Sequence, residues 1–194
     1  MKIYLIRHGE TPWNTLGRLQ GRTDIELNEN GIRLAKITGE KLKDVHFDLA
    51  IASPLKRAYE TARLVLGDRN IPILTDERIE EISFGEWEGL CCRRENYQIP
   101  SKDFEQFFTD PFGSFYEDLL HNPDYRNKTI LIAAHGCSTR AFLYYIDGRK
   151  DDFWRGHVPP NCAVTIIDVK DGKATIEEQD KVYYNPEDVV DFYK

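Results

Sequence analysis

Three apolar stretches stand out along the chain: residues 3–6, residues 47–52 and residues 129–134. Each lacks the regular polar alternation of a half-exposed strand and reads as a strand buried on both faces. Between the first two the period lengthens. Asn28 is a good N-cap, and Leu34, Ala35, Thr38, Leu42 and Val45 follow at helical spacing. After the second strand, Ser53-Pro54 reads as an N-cap with proline at the first helical position. That helix continues through Leu55, Ala58, Ala62 and Val65 to a stop at Gly67. Residues 71–74 give a third strand, residues 11–24 a loop and residues 75–89 a mostly irregular stretch. A helix over 101–109, capped by Ser101, and a shorter one over 114–120 precede the last apolar strand, and 138–146 is helical behind it. Residues 163–169 and 174–178 flank Asp171-Gly172, a strong hairpin signal. The tail from Asn185 to Lys194 is acidic and aromatic.

Strands alternating with helices imply an α/β fold, a three-layer αβα sandwich around a mostly parallel sheet that the C-terminal hairpin makes mixed. No repeat, low-complexity tract or linker divides residues 1–194, which read as a single domain. Ligands of such sheets sit beyond the carboxyl ends of the strands. Three strands run out into Arg7-His8, Ser53 with Arg57 just after it, and His135. Parallel strands place those exits on one edge, so three distant segments make one candidate site.

Composition narrows the classes. The 194 residues are 41% hydrophobic and 12% aromatic, too apolar for a disordered chain. The net charge of −7 argues against a general nucleic-acid binder, and an anionic ligand needs a local arginine cluster. The four cysteines, Cys91, Cys92, Cys137 and Cys162, form no CxxC pair and read as reduced thiols. No stretch approaches the ~20 apolar residues of a membrane helix, and the first residues are too briefly apolar for a signal peptide. The expectation is a soluble, cytoplasmic protein.

The stretch Leu5-Ile6-Arg7-His8-Gly9-Glu10-Thr11 resembles the signature of the histidine phosphatase superfamily, in its phosphoglycerate-mutase-like branch. The likeness continues in order through Trp13-Asn14, Leu19-Gln20-Gly21, Asp24, Leu27, Ser53-Pro54-Leu55, Arg57-Ala58, Thr61-Ala62, Glu81, Phe84-Gly85, Trp87-Glu88-Gly89, His135-Gly136 and Arg140-Ala141. It implies a phosphomonoester hydrolase, of the histidine acid type, working through a phosphohistidine. His8 would be the nucleophile, attacking phosphorus with a neutral ring nitrogen while its other nitrogen rests on a carbonyl near Gly9. Arg7 and Arg57 would grip phosphate oxygens with planar forks, and His135 would donate to the phosphoryl group. Glu81 stands where the family places its general acid, four residues before Gly85, with Glu80 as a rival. Asn14, Thr11, Gln20, Gly21 and Gly136 complete the expected phosphate and substrate contacts.

Other readings compete. His46, His121 and His157 read as surface or loop histidines, Arg18 and Arg22 as solvated loop charges, and Trp87 as a core residue. Glu88 and Arg140 read as structural pairs. The spacing in His135-x-Cys137-x-x-Arg140 is wrong for a cysteine phosphatase loop, which leaves Cys137 as a small buried side chain. A zinc site from His135, Cys137, Cys91 and Cys92 has no recognisable ligand spacing, and no Walker loop or GxGxxG is present. The expectation is no metal and no cofactor. The partner would be a small-molecule phosphate ester (a sugar phosphate, a nucleotide or a cobalamin precursor such as α-ribazole phosphate), with neither nucleic acid nor membrane. The segment between Gly89 and His135 departs from the family by its shortness, leaving less material for a lid. The rival readings are a cofactor-dependent phosphoglycerate mutase and a silent phosphate-binding module. Gln20-Gly21-Arg22, in place of the mutases' Gly-Trp element, favours the hydrolase.

Overall fold

The computed structural model describes residues 1–91, 111–147 and 158–189. The helix expected over 101–109, Cys92 and His157 lie outside them. The described elements run β1 (Lys2–Arg7), α1 (Pro12–Thr15), α2 (Glu29–Lys41), β2 (Leu49–Ala52), α3 (Lys56–Leu66), β3 (Ile73–Thr75), α4 (Gly113–His121), β4 (Thr129–Ala134), α5 (Gly136–Asp147), β5 (Val164–Lys170) and β6 (Lys173–Lys181). Two 3-10 turns, Glu77–Ile79 and Gly85–Trp87, interrupt the stretch that reads as irregular.

The strands form one six-stranded sheet in the order β3-β2-β4-β1-β5-β6. The pairings β1 to β4, β2 to β4 and β2 to β3 are parallel, whereas β5 runs antiparallel to both β1 and β6. The sheet is therefore mixed through its final hairpin. Asp171 and Gly172 both take positive φ, 50° and 72°, as a tight hairpin turn of the primed type requires.

The central strands are apolar on both sides because both sides are covered. Ile6, Ala50, Ala52, Leu131, Ala133 and Val164 pack with Leu34 and Ala35 of α2 and Ala62, Val65 and Leu66 of α3. The opposite face, including Ile3, Leu5, Ile51, Ile130 and Ile132, packs with Phe115 and Leu119 of α4 and Ala141 and Phe142 of α5. Each fully buried large aliphatic contributes on the order of 1.5–3 kcal/mol, which makes this double-sided burial the main driving force. Among the described residues no helix is long and apolar enough to cross a membrane.

Local chemistry moved some boundaries. Asn28 caps α2 as expected, its side chain accepting from Gly31 N–H, but the helix ends at Lys41. Leu42 is buried from the cap position, and Val45 packs from beyond it. The loop over 11–24 contains a short helix, α1, nucleated by Pro12 and a reciprocal capping box between Thr11 and Asn14. Ser53 is not the N-cap of α3. That position is Leu55, whose side chain makes no capping bond, and the Asp24 carboxylate accepts from Lys56 N–H at 2.8 Å instead.

Candidate active site

β1, β2 and β4 end side by side, with Ala52 and Arg7 both registered against the end of β4. The residues that follow them converge. His8 is 3% exposed, and its ring centroid lies 5.3 Å from that of His135. Its Nδ1 meets the Gly9 carbonyl at 2.7 Å. A carbonyl only accepts, so Nδ1 carries the proton and Nε2 keeps its lone pair. Burial, then the charges of Arg57 and Arg7, hold the His8 pKa well below the usual imidazole value, so the ring is neutral. The loop beyond is clamped against α2 and α3. Gly9 N–H donates to Thr61 Oγ1, and a Cβ on Gly31 would lie 2.1 Å from the Glu10 carbonyl oxygen, so only glycine permits this approach.

Arg57 is fully buried in the first turn of α3. Its terminal nitrogens donate to Thr23 O at 2.9 Å and Gly21 O at 2.6 Å. Gly21 can present that carbonyl because it takes φ 53°. Burial brings the Arg57 pKa down to about 10, which leaves it charged near neutrality. Arg7 anchors one terminal nitrogen on the Pro159 carbonyl. The Nε atoms of both arginines are buried and have no hydrogen-bond partner among the described residues; nor has Nδ1 of His135. Buried polar atoms are almost always paired, and these three orphans belong to residues that surround or act on His8, a setting that suits an anion.

His135 is neutral too, its pKa lowered first by burial and then by Arg57, His8 and Arg7. Its Nε2 lies 2.7 Å from Ser53 Oγ, which itself accepts from Leu55 N–H at 3.3 Å. A ring that accepts the serine hydroxyl proton at Nε2 bears its own proton on Nδ1. Ser53 thus contacts His135, a pairing that its N-cap reading concealed.

Glu81 is 7% exposed. Burial raises its pKa; the N–H groups of Cys137 and Ile82 and the two arginines oppose this without cancelling it. Its carboxylate accepts from Cys137 N–H at 3.0 Å and Ile82 N–H at 3.1 Å. A Cβ built on Gly136 would lie 3.2 Å from Val158 Cγ1, 3.6 Å from Glu81 Oε2 and 3.8 Å from Arg7 Nε, so Gly136 stands beside both the carboxyl and the guanidinium. Glu80 turns aside to an ion pair with Arg22 Nε at 3.5 Å.

The remaining expected residues lie around this centre. Thr11 and Asn14 bond each other, and Gln20 is buried with a carbonyl oxygen that lacks a partner among the described residues. Arg22 also reaches the Glu81 carbonyl oxygen at 3.4 Å. Glu88 accepts from Arg22 N–H, Thr23 N–H and Phe84 N–H, which shapes the loop that holds Arg57. Trp87 departs from its core reading: it is 41% exposed, carried on a 3-10 turn with no buried residue. His46 and His121 are exposed. Cys137 acts through its N–H, and burial pushes its thiol pKa well up. Sequence reasoning passed over Asn161, which is buried against the carbonyls after β1.

Comparison with known proteins agrees with this geometry. Residues 3–181 match the model of the histidine phosphatase superfamily, branch 1. The chain is 36% identical over 169 residues to the phosphatase PhoE of Bacillus subtilis, covering 84% of this chain and 86% of that one. It is 36% identical over 172 residues to phosphoserine phosphatase 1 of Hydrogenobacter thermophilus, covering 79% and 80%. Phosphoglycerate mutases stand among the relatives as well. The solved structure of Bacillus stearothermophilus YhfR superposes with a TM-score of 0.81 at 31% identity, covering 93% of this chain and 97% of that one. A phosphatase-like sequence over nearly its whole length, folded around two facing histidines and two buried arginines, the chain belongs to branch 1 of the histidine phosphatase superfamily.

Proposed function

We propose that the protein hydrolyses small phosphate monoesters through a phosphohistidine on His8, as a single domain of the cytoplasm. The observation that carries the reading is the setting of His8: its Nδ1 is committed to Gly9, and Arg7 and Arg57, whose charges act on its ring, keep buried Nε atoms with no partner among the described residues. His8 Nε2 forms the N–P bond as the ester P–O bond breaks. Arg7 and Arg57 neutralise charge on the equatorial oxygens, His135 donates a hydrogen bond to them, and Glu81 delivers its proton to the leaving oxygen. The Glu81 carboxylate then takes a proton from water, whose oxygen attacks phosphorus and returns the electron pair to Nε2. Asn14, Thr11, Gly21 and Gly136 border the phosphate, and the Gln20 carbonyl accepts from a substrate hydroxyl or ammonium. The described cysteines are free thiols, as a reducing compartment would keep them.

Phosphate release measured over a panel of sugar phosphates, nucleotides and phosphorylated amino acids tests the reading. Release is expected without added 2,3-bisphosphoglycerate, and interconversion of 3- and 2-phosphoglycerate should be negligible beside it. A coupled enolase assay showing bisphosphoglycerate-dependent turnover with little free phosphate would make the enzyme a mutase; no turnover of either kind would make it a binding module.

Arg7 and Arg57 supply the positive charge at this site, and among the described residues no three His, Cys, Asp or Glu side chains converge as metal ligands. Turnover is therefore expected to survive EDTA and to be inhibited by vanadate, a mimic of the five-coordinate phosphoryl group. Loss on chelation with recovery on adding zinc or magnesium is the contrary result.

A further inference from the structure

We propose that Asn161 is a positioning residue for the nucleophile, holding the Gly9 carbonyl where it fixes the tautomer of His8. The inference rests on the reading of His8 as the attacking group. Asn161 is 3% exposed, and its Nδ2 donates to His8 O at 3.0 Å and Gly9 O at 3.2 Å. Only that amide orientation is workable, because the opposite one would set Oδ1 against two carbonyl oxygens. The Gly9 carbonyl thus receives two donors, Asn161 Nδ2–H and His8 Nδ1–H, and the first restricts where the second can be met.

The backbone around Asn161 is shaped for this contact. Cys162 takes φ 56° and donates its N–H to Arg7 O at 3.1 Å. The other non-glycine residues with positive φ among the described ones are Asn127, Asp171 and Asp180, types whose side chains tolerate that region. Cys162 has no such excuse, and it is the one beside the site. Its strained turn aims consecutive donors at the carbonyls of Arg7, His8 and Gly9, while the preceding Pro159 carbonyl takes the Arg7 guanidinium. From behind, the hydroxyl of the buried Tyr184 donates to the Asn161 carbonyl and ties the turn to the C-terminal segment. A sequence separation of 152 residues between Gly9 and Asn161 hides this link from local patterns.

The test compares wild type with Asn161→Ala and Asn161→Leu; the leucine keeps the branched outline of the side chain without its hydrogen-bond donor, while the alanine removes both. The readouts are kcat and KM on a phosphate ester, and the ¹⁵N–¹H correlation pattern of His8, which reports its tautomer in the absence of turnover. Partners that orient metal-binding histidines from behind are worth about 10- to 100-fold in activity, and the same order is expected for a histidine held by its carbonyl here. In both variants kcat is expected to fall by that factor with KM nearly unchanged, and the His8 ring to become a mixture of tautomers. A folded variant with wild-type kcat overturns the proposal, and so does a fall in kcat with the Nδ1–H tautomer intact. Should the wild type release no phosphate from any ester, the functional reading fails by itself, while the ring spectrum still decides the role of Asn161.

Discussion

Replacing His8 with alanine is expected to reduce phosphate release by about 10⁴-fold or more, as removal of a covalent nucleophile does elsewhere. The arginine pair and His135 would remain to bind substrate, so the variant should still be protected by phosphate or vanadate. Wild-type enzyme quenched during turnover should carry a phosphoryl group that is labile in acid and stable in base, the signature of a P–N bond on imidazole. The variant should carry none. The reason is the ring's arrangement: with Nδ1 held on Gly9 and the pKa depressed by burial and two guanidiniums, Nε2 offers a free lone pair at neutral pH. Labelled phosphate mapped to any residue other than His8 would refute the covalent step.

How much of this was legible beforehand depended on whether the signal was local. β4 coincides with the apolar run read from the sequence, and the exits after β1, β2 and β4 meet as parallel pairing demands. The tautomer-fixing carbonyl of Gly9 also came with the resemblance and is in place. Ser53 was misread because Ser-Pro before a helix carries a strong capping signal; the hydroxyl is engaged instead by a histidine 82 residues away. α1 was missed although Thr11-Pro12 and Asn14 held its cap in plain view, because four residues give too little periodicity to register. Trp87 reads as a core residue rather than a ligand platform, whereas its turn stands at the surface. Only the Ser53 error is long-range: a side chain whose partner lies on another strand exit leaves no periodic trace in its own neighbourhood.

The second large effect belongs to Glu81. Glu81→Gln keeps the shape and the hydrogen bond acceptor but has no proton to give, and turnover of alkyl phosphates should fall by about 10²–10⁴-fold. p-Nitrophenyl phosphate should suffer less, because its leaving group departs without full protonation. The pH dependence follows from two opposed shifts. His8 must be neutral, and its lowered pKa satisfies that even in mild acid. Glu81 must hold its proton for the first step; its pKa is raised, so kcat/KM should fall as pH climbs through that raised value. Activity is therefore favoured below the raised Glu81 pKa and lost above it. The substrate's own second ionisation, near pH ~6, adds a pH dependence of its own. The ratio of wild-type to Glu81→Gln rates removes it, since both enzymes meet the same substrate. That ratio should be largest at low pH and shrink toward high pH. Glu80→Gln should leave both the rate and the ratio near wild type, because Glu80 is turned toward Arg22. Equal losses on alkyl and nitrophenyl esters, or a more damaging Glu80→Gln, would transfer the acid role away from Glu81.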